Sequence, residues 1–157
     1  MCAILDANAI HELFQPSKFE AGREFIEWIN SGKGILITGG KAYQEFRVGL
    51  SKEGRNWAQQ ARLSGKLQVI NKEKVDKKTE RIKASASYKS DDPHILALAQ
   101  ISGARLLYSN DPKLQKDFKD KALIDNPRGK VYSTLESKEF KGSHKKLLAN
   151  KNLCHSK

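Results

Sequence analysis

The sequence has few cysteines: Cys2 and Cys154 are the only two, and they stand near opposite ends of the chain. They form no CxxC pair, so the sequence offers neither a disulfide framework nor a thiolate zinc site. We therefore expect both cysteines to be free thiols. No stretch approaches the roughly 20 apolar residues of a membrane-spanning helix, and the first residues lack the pattern of a signal peptide. These absences predict a cytoplasmic protein with no membrane segment.

Acidic residues are outnumbered, since 18 Asp and Glu face 29 Lys and Arg and give a formal net charge of +11. A charge of this sign favours a polyanion or an acidic protein as partner. The alternative explanation is that the basic excess serves solubility alone. Internal repeats are also absent, and 157 residues with 38% hydrophobic side chains suit one compact core.

Short apolar runs alternate with helical patterns along the chain. Buried strands are predicted at residues 3–5, in GILITGG, at residues 67–70, in ARLLYS and in KVYST. The helix in SKFEAGREFIEWINSG is expected to begin at a Ser17 cap and to stop at Gly32. In DDPHILALAQISG, Pro93 suits the first helical position and Gly103 suits the C-terminal stop. The alternation favours an α/β fold, with a mainly parallel sheet and helices on both faces.

Four acidic residues stand where strands end or helices start. Asp6 ends the first strand, and Glu45 lies in the helix after the second. Asp92 starts the helix before a buried strand, and Asp111 follows that strand. Sites in open α/β sheets form at the carboxyl ends of the strands. We therefore expect the four carboxylates to meet in one pocket.

Each of these acids also has a simpler explanation when it is taken alone. Asp92 and Asp111 precede prolines and would be ordinary helix N-caps. Asp6 could cap the helix that follows it, and Glu45 could be a solvated helical residue. However, Ser, Thr or Asn cap a helix as well as Asp does, so capping does not explain an acid at every position.

A bound cation would explain the choice of acids. Carboxylates about 4 Å apart repel by roughly 4 kcal/mol per pair at an effective dielectric near 20, and a cation offsets that cost. Oxygen ligands suit Mg²⁺ or Mn²⁺ rather than zinc, for which the sequence has no suitable set of Cys and His. Hydrolysis of a phosphodiester by activated water is the natural chemistry of such a site.

The segments LDANAI, ITGGKAYQEF, DDPHILALA and LLYSND resemble the four acidic motifs of PIN-domain ribonucleases, over about residues 2 to 133. The resemblance implies a three-layer α/β/α sandwich with a central parallel sheet, a Mg²⁺ or Mn²⁺ cofactor and RNA as substrate. Many bacterial members are toxins of the VapC-like type, which a small antitoxin protein neutralises.

The resemblance also implies roles for individual residues. The metal ligands and catalytic residues would be Asp6, Glu45, Asp92 and Asp111. Asn8 and Ser109 would be polar supports that orient water, substrate or ligands. The apolar phase of the following helix sets Asp92 in the family register, which leaves its neighbour Asp91 as an outer or exposed acid.

These observations predict a nuclease domain over residues 1–135 and a basic C-terminal extension over residues 136–157, which would be a helix or a tail. The predicted function is that of a metal-dependent endoribonuclease. A narrower form of this hypothesis is that the protein is the toxin of a toxin–antitoxin pair. A homo-oligomer is compatible with the sequence. The competing interpretation, from another functional class, is a nucleic-acid-binding module that has the same fold and basic surface but does not cleave.

Three other features have weaker functional explanations. LDAN resembles the start of an aspartyl-phosphate phosphatase motif, but Asn8 stands where that chemistry needs a second acid. His94 is interpreted as a helix-surface residue rather than a catalytic base, because metal-bound water needs no imidazole. Trp57, with Arg55 and Arg62 nearby, could stack on a base or could pack in the core or against a partner.

Overall fold

A computed structural model of the chain describes residues 1–154 and shows a single five-stranded sheet within them. Its strands are β1 (Cys2–Leu5), β2 (Ile35–Gly39), β3 (Leu67–Ile70), β4 (Leu106–Tyr108) and β5 (Lys130–Tyr132). They lie in the order β3-β2-β1-β4-β5, and each neighbouring pair is parallel. The carboxyl ends of β1, β2 and β4 therefore lie side by side at one edge of the sheet.

Helices cover both faces of this sheet. They are α1 (Glu20–Asn30), α2 (Gly40–Gly49), α3 (Lys52–Leu63), α4 (Lys72–Ser85), α5 (Pro93–Ser102), α6 (Pro112–Lys119) and α7 (Gly142–Ala149), with 3-10 helices at Ala7–Phe14 and Lys151–Leu153. Within residues 1–154, no helix has the length and apolar character required to cross a membrane. The predicted cytoplasmic location stays a prediction.

The side chains of β1 alternate between two hydrophobic cores, as the period of a strand requires. Ala3 and Leu5 pack in the core that α1 and α7 cover, whereas Cys2 and Ile4 pack in the core beneath α4, α5 and α6. The sheet is therefore the middle of three layers. The predicted α/β/α sandwich with a parallel central sheet is confirmed.

Local sequence sets both ends of α5. Pro93 is its first residue, and Gly103 closes it with a left-handed φ of 81°. Both predicted ends are thus confirmed. The segment Ala7–Phe14 is helical as expected, although it forms a 3-10 helix rather than an α-helix.

The predicted Ser17 cap is wrong. α1 begins at Glu20, and the residue before it makes no side-chain capping hydrogen bond. Instead, the amide of Ala21 in the first turn donates to the carbonyl oxygen of Lys138 at 2.9 Å. A backbone group that is distant in sequence therefore satisfies this helix start, which local capping rules cannot anticipate.

The C-terminal segment packs on the rest of the fold. The indole Nε1 of Trp28 donates to the carbonyl oxygen of Leu148 at 2.9 Å, and both Leu148 and Leu153 are buried in the core that α1 covers. The sequence left open whether residues 136–157 form a helix or a tail, and the described part of this segment contains helices. Residues 155–157 lie outside the described residues. The boundary after residue 135 stays a prediction.

The prediction of two free thiols is wrong, because Cys2 and Cys154 form a disulfide. Cys2 opens β1, and Cys154 forms an antiparallel bridge with Ala104 just before β4. Since β1 and β4 are neighbours, the two Cα atoms come within 5.2 Å, a separation that a disulfide spans. A sequence separation of 152 residues hid this pair from reasoning based on local spacing.

Candidate metal centre

The topology brings the four predicted acids together at the carboxyl edge of the sheet. The amide of Asp6 donates to the carbonyl oxygen of Tyr108 at 2.9 Å, which ties the end of β1 to the end of β4. Asp92 lies within electrostatic range of Asp6, Glu45 and Asp111, since each of these charges raises its pKa. The four acids therefore lie close enough at this edge for the charges of the other three to act on Asp92.

Asp6 is the most enclosed of the four. Its carboxylate is almost fully buried, and Oδ2 accepts a hydrogen bond from the Oγ of Ser109 at 2.8 Å. Oδ1 accepts from the backbone amide of Asn8 at 3.4 Å, while the Asn8 residue itself is exposed. Burial raises the pKa of Asp6, although both hydrogen bonds act in the opposite direction. Ser109 thus orients Asp6 through its side chain, and Asn8 does so through its backbone.

Asp92 and Asp111 both occupy N-cap positions, but only one of them caps its helix with its side chain. Oδ1 of Asp111 accepts from the amides of Lys113 at 2.9 Å and Leu114 at 3.4 Å. Asp92 makes no side-chain capping hydrogen bond, and its neighbour Asp91 is exposed. The capping explanation therefore accounts for Asp111 and fails for Asp92.

The environment of Asp92 disfavours its negative charge. Burial, followed by the charges of Asp6, Glu45 and Asp111, raises its pKa to about 6. Lys41 acts in the opposite direction. A carboxyl group in such surroundings is stabilised when a cation neutralises the cluster.

Glu45 and His94 face each other beside Asp92. The Nε2 of His94 lies 3.2 Å from the Oε1 of Glu45, and that oxygen is buried without a hydrogen-bond partner. Burial is the largest cause of the raised pKa of Glu45. The prediction that His94 lies on the helix surface is wrong, because the residue is 4% exposed.

The buried imidazole of His94 is neutral at neutral pH. Burial, helped by the charges of Lys41 and Lys83, lowers its pKa to about 4. A neutral imidazole has one ring nitrogen with a free lone pair, which is the form that binds metals. Ligand atoms of His94, Glu45 and Asp92 all lie within 4.8 Å of one another.

Two buried acids outside this cluster hold the loops that carry it. Asp117 of α6 accepts from the amides of Lys89 and Ser90, each at 2.8 Å, and so fixes the segment that leads to Asp92. The sequence carries a signal for this role. Asp117 shares the apolar face of α6 with Leu114 and Phe118, which lie three residues before it and one residue after it.

Glu12 is the second of these acids. Its carboxylate accepts from the Tyr108 hydroxyl at 2.6 Å, the Thr134 hydroxyl at 2.7 Å and the Asn110 side-chain amide at 2.7 Å. Asn110 directly precedes Asp111, so this network fixes the loop after β4. No local spacing reveals these partners, because they belong to segments that meet only in the folded chain.

The donor set fits a divalent cation. Four carboxylates supply oxygen ligands of the kind that Mg²⁺ and Mn²⁺ prefer, and a cation would pair with the partnerless oxygen of Glu45. The same ion would remove the mutual repulsion of the acids. The arrangement can therefore hold a metal and deliver its charge to a phosphate or to a bound water.

Comparison with known proteins identifies the family of the chain. The family model of the PIN domain matches residues 3–120 of the chain. Searches of curated proteins and of solved structures found no match. PIN domains are generally nucleases that use divalent metals, and the matched region contains all four predicted acids. The chain belongs to the PIN-domain family.

Proposed function

We propose that the protein is a metal-dependent endoribonuclease. The observation that carries this proposal is the convergence of Asp6, Glu45, Asp92 and Asp111, whose charges act on one another at the carboxyl edge of the sheet. A Mg²⁺ or Mn²⁺ ion held there would activate water and neutralise charge on the phosphodiester. Hydrolysis would need no covalent intermediate with the enzyme.

The residues of the chain have distinct roles in this proposal. Asp6, held by Ser109, is a rigid ligand at the base of the site, and Asp92 faces it from the start of α5. Asp111 is oriented by the two amides that it caps. Lys41 is exposed, and its charge opposes the rise in the pKa of both Asp92 and Glu45, so in this proposal it would contact a substrate phosphate.

RNA is supported as the substrate by the charge of the protein. The net charge of +11 attracts a polyanion, and most lysine side chains of the described chain are exposed. Lys41 lies near the acid cluster, where its positive charge would attract a phosphate of the RNA.

Incubation of the protein with single-stranded RNA in Mn²⁺ and in EDTA tests this function. We expect cleavage in Mn²⁺ and intact RNA in EDTA. A non-cleaving nucleic-acid-binding module would bind the RNA and leave it intact under both conditions. That result, obtained with a preparation that binds Mn²⁺, would contradict the proposal and support the alternative.

A groove between α2 and α3 supports the further proposal that the protein is the toxin of a toxin–antitoxin pair. Its volume is about 910 Å³, and Arg47, Arg55 and Arg62 lie along it. Tyr43 and Leu63 are among its other lining residues, and none of the described lining residues is acidic. An apolar groove bordered by arginines is complementary to an acidic amphipathic segment, such as an antitoxin would supply.

The described contacts also define what Trp57 does near this groove. Its Nε1 donates to the Oδ1 of Asn30 at 2.7 Å, and its ring packs edge-on to Phe14. Of the alternatives left open by the sequence, packing against the core is the one observed. Arg55 and Arg62 each use one guanidinium nitrogen within the chain, on the Leu50 carbonyl oxygen and the Tyr43 hydroxyl, and their other donors would contact a partner.

Co-purification with the product of an adjacent reading frame tests the toxin role. We expect that product to inhibit RNA cleavage and Leu63→Asp to weaken its binding, since Leu63 is 78% exposed in the groove. Leu135→Asp is the matched control, because Leu135 is 57% exposed and does not line the groove. Equal binding by both variants would contradict this location. Dimerisation lost only in Leu63→Asp would assign the groove to a second copy of the chain.

A further inference from the structure

The contact between His94 and Glu45 is unusual for a histidine and a carboxylate. Nε2 and Oε1 lie 3.2 Å apart, yet Oε1 has no hydrogen-bond partner, so the pair does not have the geometry of a hydrogen bond. His94 is 4% exposed and therefore cannot turn to bulk solvent. Two atoms that can bind a cation thus face each other in a buried position.

The separation of the two atoms matches that of neighbouring ligands on one ion. Metal–nitrogen and metal–oxygen bonds of about 2.1 Å place adjacent ligand atoms about 3.0 to 3.4 Å apart, for angles between octahedral and tetrahedral values. The observed 3.2 Å lies within this range. Asp92 supplies a third ligand atom within 4.8 Å of both.

We propose that His94 is a nitrogen ligand, which with Glu45 and Asp92 binds a first-row transition ion in preference to Mg²⁺. This proposal rests on the proposed function in its choice of metal site, and it extends the all-oxygen quartet expected from the sequence. Imidazole binds transition ions far better than it binds Mg²⁺, which demands oxygen ligands and retains its water. The nitrogen of His94 therefore makes the site selective.

Pulsed electron paramagnetic resonance of the Mn²⁺-loaded protein tests the ligand directly. The full chain, freed of any purification tag, should show the ¹⁴N coupling of a bound imidazole. His94→Gln should lose this coupling, because its side chain offers an oxygen at a similar distance from the backbone. His11→Gln is the matched control and should keep the coupling, since His11 is exposed and its Nε2 lies 4.0 Å from Glu12.

Thermal-shift titrations with Co²⁺ and Mg²⁺ give a second measurement. We expect His94→Gln to weaken Co²⁺ binding about tenfold or more and to change Mg²⁺ binding much less. Absence of ¹⁴N coupling in the wild-type protein, or an equal coupling in His94→Gln, would overturn the proposal. So would an equal loss of affinity for both ions.

These outcomes are separable from the proposed nuclease function. Mn²⁺-dependent cleavage of RNA by a protein without ¹⁴N coupling would refute the role of His94 and leave the function standing. Coupling in a protein that cleaves no RNA would keep the ligand and refute the function.

Discussion

Asp92 shows how a single residue can occupy a familiar structural position and serve another purpose. It stands at the N-cap of α5, yet its carboxylate makes no capping hydrogen bond. The carboxylate is partly buried and lies near three other acids. Asp111 shows the opposite case, in which the side chain caps its helix and also faces the cluster. In the metal-free protein, the charge of Asp92 is therefore a source of instability.

The difference in stability between Asp92→Asn and the wild type should depend on pH in a defined direction. The pKa of Asp92 rises from 3.8 to about 6 on folding, so the folded state binds more protons between these values, and the free energy of unfolding falls as pH rises through them. After allowance for solvent screening, this costs the wild type about 1 kcal/mol at pH 7. Urea unfolding in EDTA should find Asp92→Asn more stable at pH 7 and equal near pH 4. A variant less stable than wild type at pH 7 would contradict this.

At the scale of the elements, α5 shows what can be predicted from local sequence and what cannot. Pro93 and Gly103 mark its ends because their backbone preferences act locally. The burial of His94 was missed, although the helix PHILALAQIS has no polar face and so gives a polar side chain near its start no route to solvent. The start of α1 could not be predicted, because Lys138 satisfies it from a distant segment.

The link between α6 and the loop before α5 can be tested by removal of Asp117. Asp117→Ala leaves the partly buried amide of Lys89 and the buried amide of Ser90 without their acceptor, at a cost of about 3 kcal/mol in the free energy of unfolding. Asp91→Ala is a matched control, because this exposed acid lies in the same loop, and it should change stability by less than about 0.5 kcal/mol. Denaturant unfolding would measure both. Equal stability of the two variants would show that Asp117 does not hold the loop.

At the scale of the whole molecule, the strand order assembles the site from segments that are far apart in sequence. The alternation of strands and helices correctly predicted the parallel sheet, whose strands share one direction and so end at one edge. The disulfide and the network of Glu12 depend on which segments become neighbours, and no local pattern carries that information. The basic excess is likewise a property of the whole chain.

The salt dependence of RNA binding tests the role of this charge. Each phosphate contact on a single strand contributes a log–log slope of about −0.7, so five contacts would give about −3.5. Binding measured in EDTA, which keeps the RNA intact, should therefore weaken steeply with salt. Lys41→Gln should reduce the slope by about one contact, whereas Lys66→Gln, at the opposite edge of the sheet before β3, should leave it unchanged. A flat salt dependence would show that the charge serves solubility alone.

The rate of Mn²⁺-dependent RNA cleavage by Asp92→Asn is the measurement that tests the carboxylate site most directly. Asn would keep the fold, because Asp92 caps nothing, but it removes an anionic ligand. We predict a loss of about 100-fold or more with native circular dichroism, a similar loss in Asp111→Asn, and little loss in Asp91→Asn. Cleavage by Asp92→Asn at the wild-type rate would contradict the proposed site. If Asp91→Asn alone were inactive, Asp91 rather than Asp92 would be the metal ligand.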